Sequence, residues 1–352
     1  MIPLGVMNAD YNCTIRGVKM VEQSYESLSS EGKNVYREII RQIGINPKEF
    51  VFYNIPYDNV KEAFNAIYYD HPEYFWYSGA GRASVMQCST STTVKFSPEI
   101  TFPLYSLERE RALFNNKVYN LISKAKLASP VLYEQVLFIH DRLVADTEYV
   151  TDAPHCYDAY GCLVLGQAVC EGYSEAFQVL MHELGVECGR AYGKSASKRT
   201  GEGNHEWNYI KLSDGYYYVD VTWDDPIVKK GENSNDISHD FFCIDYNEML
   251  KDHIFSSDCF YPKSCGTKYE YYRYHGMYLD IYYYEDVKRI ATKQLMSSDR
   301  VIVKFGSQLQ LERAMDDLLN NNKVFSLPGF SRRLKYGVNP DSHILTLYAR
   351  LK

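Results

Sequence analysis

The stretch Gln167-Ala-Val-Cys170-Glu-Gly-Tyr-Ser-Glu-Ala-Phe-Gln-Val-Leu-Met181-His-Glu-Leu184 decides the fold. It opens without a period and becomes periodic at Cys170. Tyr173, Phe177, Leu180, Met181 and Leu184 recur at three- and four-residue intervals with Ala176 beside them, the pattern of a helix with one buried face. Gly185 supplies a stop signal. Cys170 therefore falls where a loop becomes a helix. A thiol there meets the positive end of the helix dipole and free N–H groups, both of which favour thiolate. The plain alternative is a buried structural cysteine, because free cysteine is among the most buried residue types.

The 352-residue chain is 45% hydrophobic and 24% charged, a globular composition. Its length allows about two or three domains with a sizeable core. A formal charge of −7, with Lys and Arg scattered, excludes a general nucleic-acid binder. No apolar run reaches about 18 residues, so no membrane span is expected. Met1-Ile-Pro-Leu-Gly5 lacks a basic segment followed by an apolar one, so no secretory leader is expected. A mature secreted chain looks the same, which leaves extracellular, cell-surface and cytoplasmic locations open. Nine cysteines is an odd count for a disulfide framework; Cys259 and Cys265 are close enough to pair, but nothing requires it. C-x-x-C pairs are absent, and His155, Cys156 and Cys162 lack the spacing of a zinc site. Neither a metal nor a cofactor is expected. The 33 tyrosines suit half-buried strands, and compositional bias explains them equally well.

Three units are expected. Residues 1–105 form an N-terminal α+β unit. Its first 24 residues or so lack a period. A helix capped by Ser29 or Ser30 runs to Ile43, and Phe50–Tyr53 is a strand. A helix capped by Asn59 ends near Asp70, ahead of Pro72. Tyr74–Tyr77 and Ser84–Phe96 read as strands around a Gly79-Ala-Gly81 turn. Residues 106–262 form the central domain, with a helix over Leu107–Leu127 and another opened by Ser129-Pro130 and carrying His140. Asp158–Leu165 is a shorter helical stretch. Past Gly185 come strands at Val186–Tyr192, His205–Leu212 and Tyr216–Trp223, the last two a hairpin across Ser213-Asp214-Gly215. Pro226–Asp240 reads as a loop. Residues 263–352 form a small C-terminal α/β unit, with strands at Tyr269–Leu279, Val301–Phe305 and His343–Leu351 and helices at Glu285–Met296 and Gln308–Leu319.

A cysteine nucleophile needs a base, and the base needs an orienting partner. His205 opens the strand His-Glu-Trp-Asn-Tyr-Ile210. Asp220 sits between Val219 and Val221 in an aromatic strand, where burial is costly unless an imidazolium pairs with it. Val169-Cys-Glu-Gly-Tyr173, Asn204-His-Glu-Trp-Asn208 and Tyr218-Val-Asp-Val-Thr-Trp-Asp-Asp-Pro226 resemble, in that order, the core of the transglutaminase-like superfamily of bacterial cysteine enzymes. The resemblance covers roughly residues 107–262. It implies an α+β, transglutaminase-like (papain-like cysteine proteinase) core, with a nucleophile helix packed on an antiparallel sheet and smaller α+β units on either side. It implies Cys170 as nucleophile, His205 as base and Asp220 as orienting carboxylate. Glu206 departs from the pattern, since a small residue commonly follows the histidine, and it bears on access or charge beside the base. The flanking units resemble regions attached to such domains in bacterial surface or secreted proteins.

The hairpin sets a geometric condition. A two-residue Asp214-Gly215 turn pairs Tyr209 with Asp220 and leaves His205 roughly 13 Å along the strand. The triad therefore predicts a four-residue loop over Lys211–Asp214, or a bulge. The chemistry implied is acyl transfer through a Cys170 thioester. The oxyanion would be met by the Cys170 N–H and a second donor; Gln167 is either that donor or a polar loop residue facing water. Trp207 and Trp223 stand as cleft walls or as core, and their size favours core. His140 reads as a satisfied core histidine and His182 as a surface one. His155 and Cys156 have no assigned role, and Asp152, Asp158 and Glu171 lack a calcium-loop pattern. The expected partner is a peptide or protein substrate, and oligomeric state is open. The leading function is a cysteine peptidase or amidase. A transglutaminase that passes the thioester to an amine uses the same triad, and a non-catalytic surface-interaction protein on the same fold is the third reading.

Overall fold

The computed structural model describes residues 23–43, 48–197, 201–225, 237–257, 261–263, 266–331 and 334–349. The expectations for residues 1–22, for the 226–236 part of the loop and for a Cys259–Cys265 pair lie outside the described residues.

The N-terminal part holds helices α1 (Gln23–Ser27) and α2 (Ser30–Ile43), strand β1 (Phe50–Tyr53), helix α3 (Tyr57–Asp70) and strands β2 (Tyr77–Gln87) and β3 (Thr92–Ile100). Ser29 caps α2, its Oγ accepting the Gly32 N–H at 3.0 Å. Pro56, not Asn59, precedes α3; its fixed φ of −59° pre-sets the entry. The strands form an antiparallel sheet in the order β1-β3-β2. The single strand expected over Ser84–Phe96 is a hairpin, closed by the Cys88 N–H on the Ser91 carbonyl at 2.8 Å. That turn carries no Gly or Pro, so composition hid it. The Gly79–Gly81 segment lies inside β2, where the register slips between Tyr77 and Gly81.

The centre begins with helices α4 (Leu104–Ala128) and α5 (Leu132–Asp146). Proline stands two residues ahead of α5, with Val131 at its cap. Strands β4 (Glu148–Tyr149) and β5 (Gln167–Ala168) form a short parallel pair that leads into helix α6 (Cys170–Leu184). Ten consecutive residues of α6, Gly172–Met181, are buried, so the helix is wrapped on all sides. Gly185 ends it at a φ of 78°, the left-handed conformation expected of a helix stop. Next come β6 (Cys188–Ser197), β7 (Gly201–Leu212), β8 (Gly215–Val219), the one-turn helix α7 (Val221–Asp224), β9 (Phe242–Ile244), α8 (Tyr246–Met249) and β10 (His253–Phe255). The sheet is antiparallel in the order β10-β6-β7-β8-β9.

The C-terminal part holds α9 (Tyr271–Tyr274), β11 (Tyr278–Leu279), α10 (Tyr284–Gln294), β12 (Arg300–Phe305), α11 (Gln308–Met315), β13 (Lys335–Asn339) and β14 (Ile344–Tyr348). Its sheet order is β11-β12-β14-β13. The strand expected over Tyr269–Leu279 is mostly a helical turn, started by Glu270 accepting the Arg273 N–H at 2.9 Å. One apolar core runs from Val35 to Cys243 through both the N-terminal part and the centre. A separate core holds Val287, Val301, Leu311 and Leu345.

Gly193 is a tight point of the central sheet. It pairs with His205 on one side and Phe255 on the other. A Cβ there would lie 2.0 Å from the Ile254 carbonyl oxygen. Gly193→Ala is expected to push β10 off β6 and cost about 1–3 kcal/mol in urea unfolding.

Candidate active site

The β7–β8 hairpin sets the site, and its register corrects the sequence-based condition. Leu212 pairs with Gly215 and Asn208 with Val219, so the turn is Ser213-Asp214, two residues long. Neither the four-residue loop nor a bulge is present in this pair. The irregularity lies on the other side of β8, between Tyr218 and Val219 against β9, where Cys243 takes a φ of 57°. His205 and Asp220 meet all the same, for two reasons. Continued one residue, this register sets Asp220 across from Trp207, which makes His205 a diagonal neighbour about 7–8 Å away at Cβ. Asp220 has also left the strand: it caps α7, its Oδ1 accepting the Trp223 N–H at 3.0 Å. The strand expected through Trp223 thus stops at Val219.

His205 Nε2 lies 2.6 Å from Asp220 Oδ2, a charge-assisted hydrogen bond. Burial opposes an imidazolium at His205; the attraction and hydrogen bond of Asp220, then the hydrogen bond with Cys170, outweigh it and raise the pKa to about 10. Burial likewise opposes the Asp220 carboxylate, and His205 and His253 together hold it well below the usual carboxylate range. With Nε2 committed to Asp220, the other nitrogen of His205 is the one left for the Cys170 thiol. Cys170 is half-exposed at the first position of α6, and helix geometry leaves its N–H without an intrahelical acceptor.

His253 was missed in the sequence. Its Nε2 lies 3.1 Å from the same Asp220 Oδ2, and the ring is fully buried, edge-on to Trp207 at 4.7 Å. It sits in a three-residue strand with no motif around it; a histidine opening a short apolar run was the only signal. Its Nδ1 is buried without a partner, so the Nε2–H tautomer, donating to Asp220, is the one that strands a lone pair and not a proton. His205, Asp220 and His253 also bring three ligand-type atoms within 4.8 Å of one another. The 2.6 Å separation is too short for two ligands on one ion, since bonds of about 2.1 Å at right angles set neighbours about 3 Å apart.

The other sequence candidates fall in different places. Trp207 has no exposed surface and stacks beneath His205 at 5.9 Å, so it belongs to the core and walls no cleft. Trp223 is half-exposed, with its ring 5.7 Å from that of His205, at the rim. Gln167 turns its amide to the Pro154 carbonyl at 3.2 Å. Tyr149 was not singled out; it is 44% exposed, and burial and then the Cys170 charge raise its pKa. Glu206 faces away from His205, as strand alternation requires. It pairs with Arg190 at 3.0 Å, and Arg190 also pairs with Glu175 of α6 at 2.9 Å. Burial lifts the Glu206 pKa to about 7 against the pull of that guanidinium.

Residues 122–221, which include Cys170, His205 and Asp220, match the model of the transglutaminase-like superfamily core. The chain carries a transglutaminase-like domain. That superfamily is one of cysteine-dependent enzymes, and the mixed helix-and-sheet architecture agrees with it. Among solved structures the chain is similar to a TGase, at 14% identity over 44% of this chain and 47% of that one, with a TM-score of 0.29. It is also similar to a candidate cysteine protease from Cytophaga hutchinsonii (11% identity, 49% and 64% covered, TM-score 0.27). A candidate protease from Parabacteroides distasonis ATCC 8503 follows (10% identity, 42% and 40% covered, TM-score 0.21). The chain spans less than two thirds of the length of each. No curated protein matches it. Among the described residues, no helix is long and apolar enough to cross a membrane.

A folded-state pKa raised from 6.5 to about 10 keeps His205 protonated through neutral pH. The stabilisation it carries is full below the unfolded value and is lost as pH rises toward the folded one. NMR titration of labelled histidine is expected to give a His205 midpoint near 10. Asp220→Asn should move that midpoint down toward the ordinary imidazole value.

Proposed function

We propose that this protein is a cysteine-dependent acyl-transfer enzyme that cleaves amide bonds of peptides or proteins, a peptidase or amidase. The observation that carries the reading is the buried His205–Asp220 pair, joined at 2.6 Å, with Cys170 near enough to His205 to help raise its pKa. An imidazolium beside a sulfur at a helix N-terminus favours thiolate, the attacking form. In this reading the Cys170 Sγ attacks the amide carbonyl carbon. The C–N bond breaks as His205 gives its proton to the leaving amine, and an acyl thioester remains on Cys170. Water then attacks that carbonyl, losing a proton to His205, and the C–S bond breaks to release the acid. The Cys170 N–H, at the open end of α6, meets the oxyanion. Asp220 holds the ring orientation, and His253 holds Asp220. Trp223, half-exposed beside His205, offers aromatic surface to a peptide, and Tyr149 is exposed as well.

Iodoacetamide labelling with peptide mapping tests the nucleophile. Cys170 is expected to react well ahead of the other cysteines at mildly acidic pH, and His205→Ala to remove that advantage. If Cys170 reacts no faster than its fellows, the enzyme reading fails. Hydrolysis of a peptide library, set against incorporation of a labelled amine, then separates the peptidase from a transglutaminase. Release of new termini without amine incorporation is the expected result, and Cys170→Ala should lower it by about 10³-fold or more.

A further inference from the structure

A second histidine–carboxylate cluster lies on the far side of α7 from the triad. His140, on α5, is fully buried. Its Nδ1 is 3.0 Å from Asp141 Oδ1, and its Nε2 is 3.1 Å from Oδ2 of the equally buried Asp224. His239, from the segment ahead of β9, brings its Nε2 to 2.8 Å from the same Asp141 oxygen. No local pattern announces this meeting, because Asp141 and His239 stand 98 positions apart.

The geometry points to a binding site for one divalent transition-metal ion, with His140 Nδ1, Asp141 Oδ1 and His239 Nε2 as ligands. The three atoms lie within 4.8 Å of one another. The 2.8 and 3.0 Å separations are those of adjacent ligands at right angles around bonds of about 2.1 Å, as in an octahedral ion, and each opens by about half an ångström for tetrahedral zinc. Asp224 occupies the supporting position that metal-bound histidines ordinarily require: the ring nitrogen facing away from the ion donates to a carboxylate, which fixes tautomer and ring plane. His239 is fixed independently, stacked on Tyr271 with ring centroids 3.9 Å apart and planes within 4°. Asp141 is 35% exposed, so the cluster opens to solvent on its carboxylate side and water can complete the coordination. Two imidazoles and one carboxylate select zinc, cobalt or iron over calcium or magnesium. Charge agrees: Asp141 and Asp224 bring two carboxylates, which one dication and two neutral imidazoles balance.

Such an ion would clamp α5 to the segment ahead of β9. That segment holds α7 in place, since the Phe241 N–H donates to Asp224 Oδ1 at 3.0 Å and the Phe241 carbonyl accepts the Asp220 N–H at 3.0 Å. The ion therefore acts as a structural clamp behind the carboxylate of the triad.

The test uses the full chain, stripped with EDTA, dialysed, and then titrated with Zn²⁺ or Co²⁺. Bound metal is counted by mass spectrometry, and Tm is followed against free zinc. About one equivalent of zinc is expected, with a Tm that rises with concentration, as for any ligand of the native state. His239→Ala should lose both the ion and the rise, whereas His205→Ala and Cys170→Ser keep both. Asp224→Asn should weaken binding by about 10–100-fold. Asp141→Asn, at a half-exposed position, repeats the test should His239→Ala fail to fold. No zinc uptake by the wild type would overturn the proposal, as would uptake that survives His239→Ala or is lost in His205→Ala. A thiolate charge-transfer band in the cobalt form would also overturn it by placing the ion on a cysteine. None of these readouts is turnover, so they stand apart from the acyl-transfer reading.

Discussion

The carboxylate of Asp220 is the constraint on which the central sheet depends. It has no exposed surface and is held ionised, and an unpaired charge in such a place costs several kcal/mol. Three donors offset that cost: His205 at 2.6 Å, His253 at 3.1 Å and the Trp223 N–H at 3.0 Å. Each comes from a different element, β7, β10 and α7 respectively. The strand order follows from this demand. β10 lies beside β6, and Gly193 of β6 pairs with both His205 and Phe255, so the two histidines reach one oxygen across a single intervening strand. The same oxygen thus anchors two strands that are not neighbours.

The opposite face of β7 carries a second buried charge network, and it sets where α6 sits. Arg190 on β6 spans Glu206 of β7 and Glu175 of α6, and a third contact runs to the Tyr68 carbonyl at 2.9 Å. Asn208 adds a bond to the Ser174 carbonyl of α6 at 3.0 Å. A slide of α6 by one turn would strand the buried Arg190 guanidinium, which adds to the apolar packing that holds the helix in place. The height of α6 fixes the height of Cys170 above His205. Glu206, the residue that departs from the family pattern, is therefore part of the frame that aligns Cys170 with His205, and it faces away from the His205 side of the strand.

The elements legible in the sequence are those whose signal is local. Helix α6 was read to its first and last residues, because Cys170 to Leu184 keeps one period and Gly185 stops it. The transglutaminase-like fold was legible from three short motifs. What failed depends on partners distant in sequence. The alternation of Tyr216 to Trp223 reads as strand, yet Asp220 breaks it by accepting the Trp223 N–H and starting a helix. The four-residue loop or bulge expected of the hairpin is a two-residue Ser213-Asp214 turn, because the expectation assumed that only directly opposed side chains meet. His253 and His239 escaped notice because neither has a local motif; each matters only through a carboxylate on another element. His140 read as a satisfied core histidine, which describes its burial and omits its two carboxylates.

Helix α7 shows why the strand had to break. Four residues of strand span about 13 Å, whereas four residues of helix span about 6 Å. The turn brings Asp220 and Asp224 close enough for the Asp224 N–H to bond the Asp220 carbonyl at 3.2 Å. Two buried carboxylates in one short turn would repel each other, unless each has cationic or proton-donating partners of its own. Asp220 takes its partners from the sheet and Asp224 takes His140 from α5. A shift at either end of α7 therefore moves the other, because the two ends share a peptide bond ladder of a single turn. The position of the Asp220 carboxylate is thereby set as much by the cluster around His140 as by the strands that carry His205 and His253.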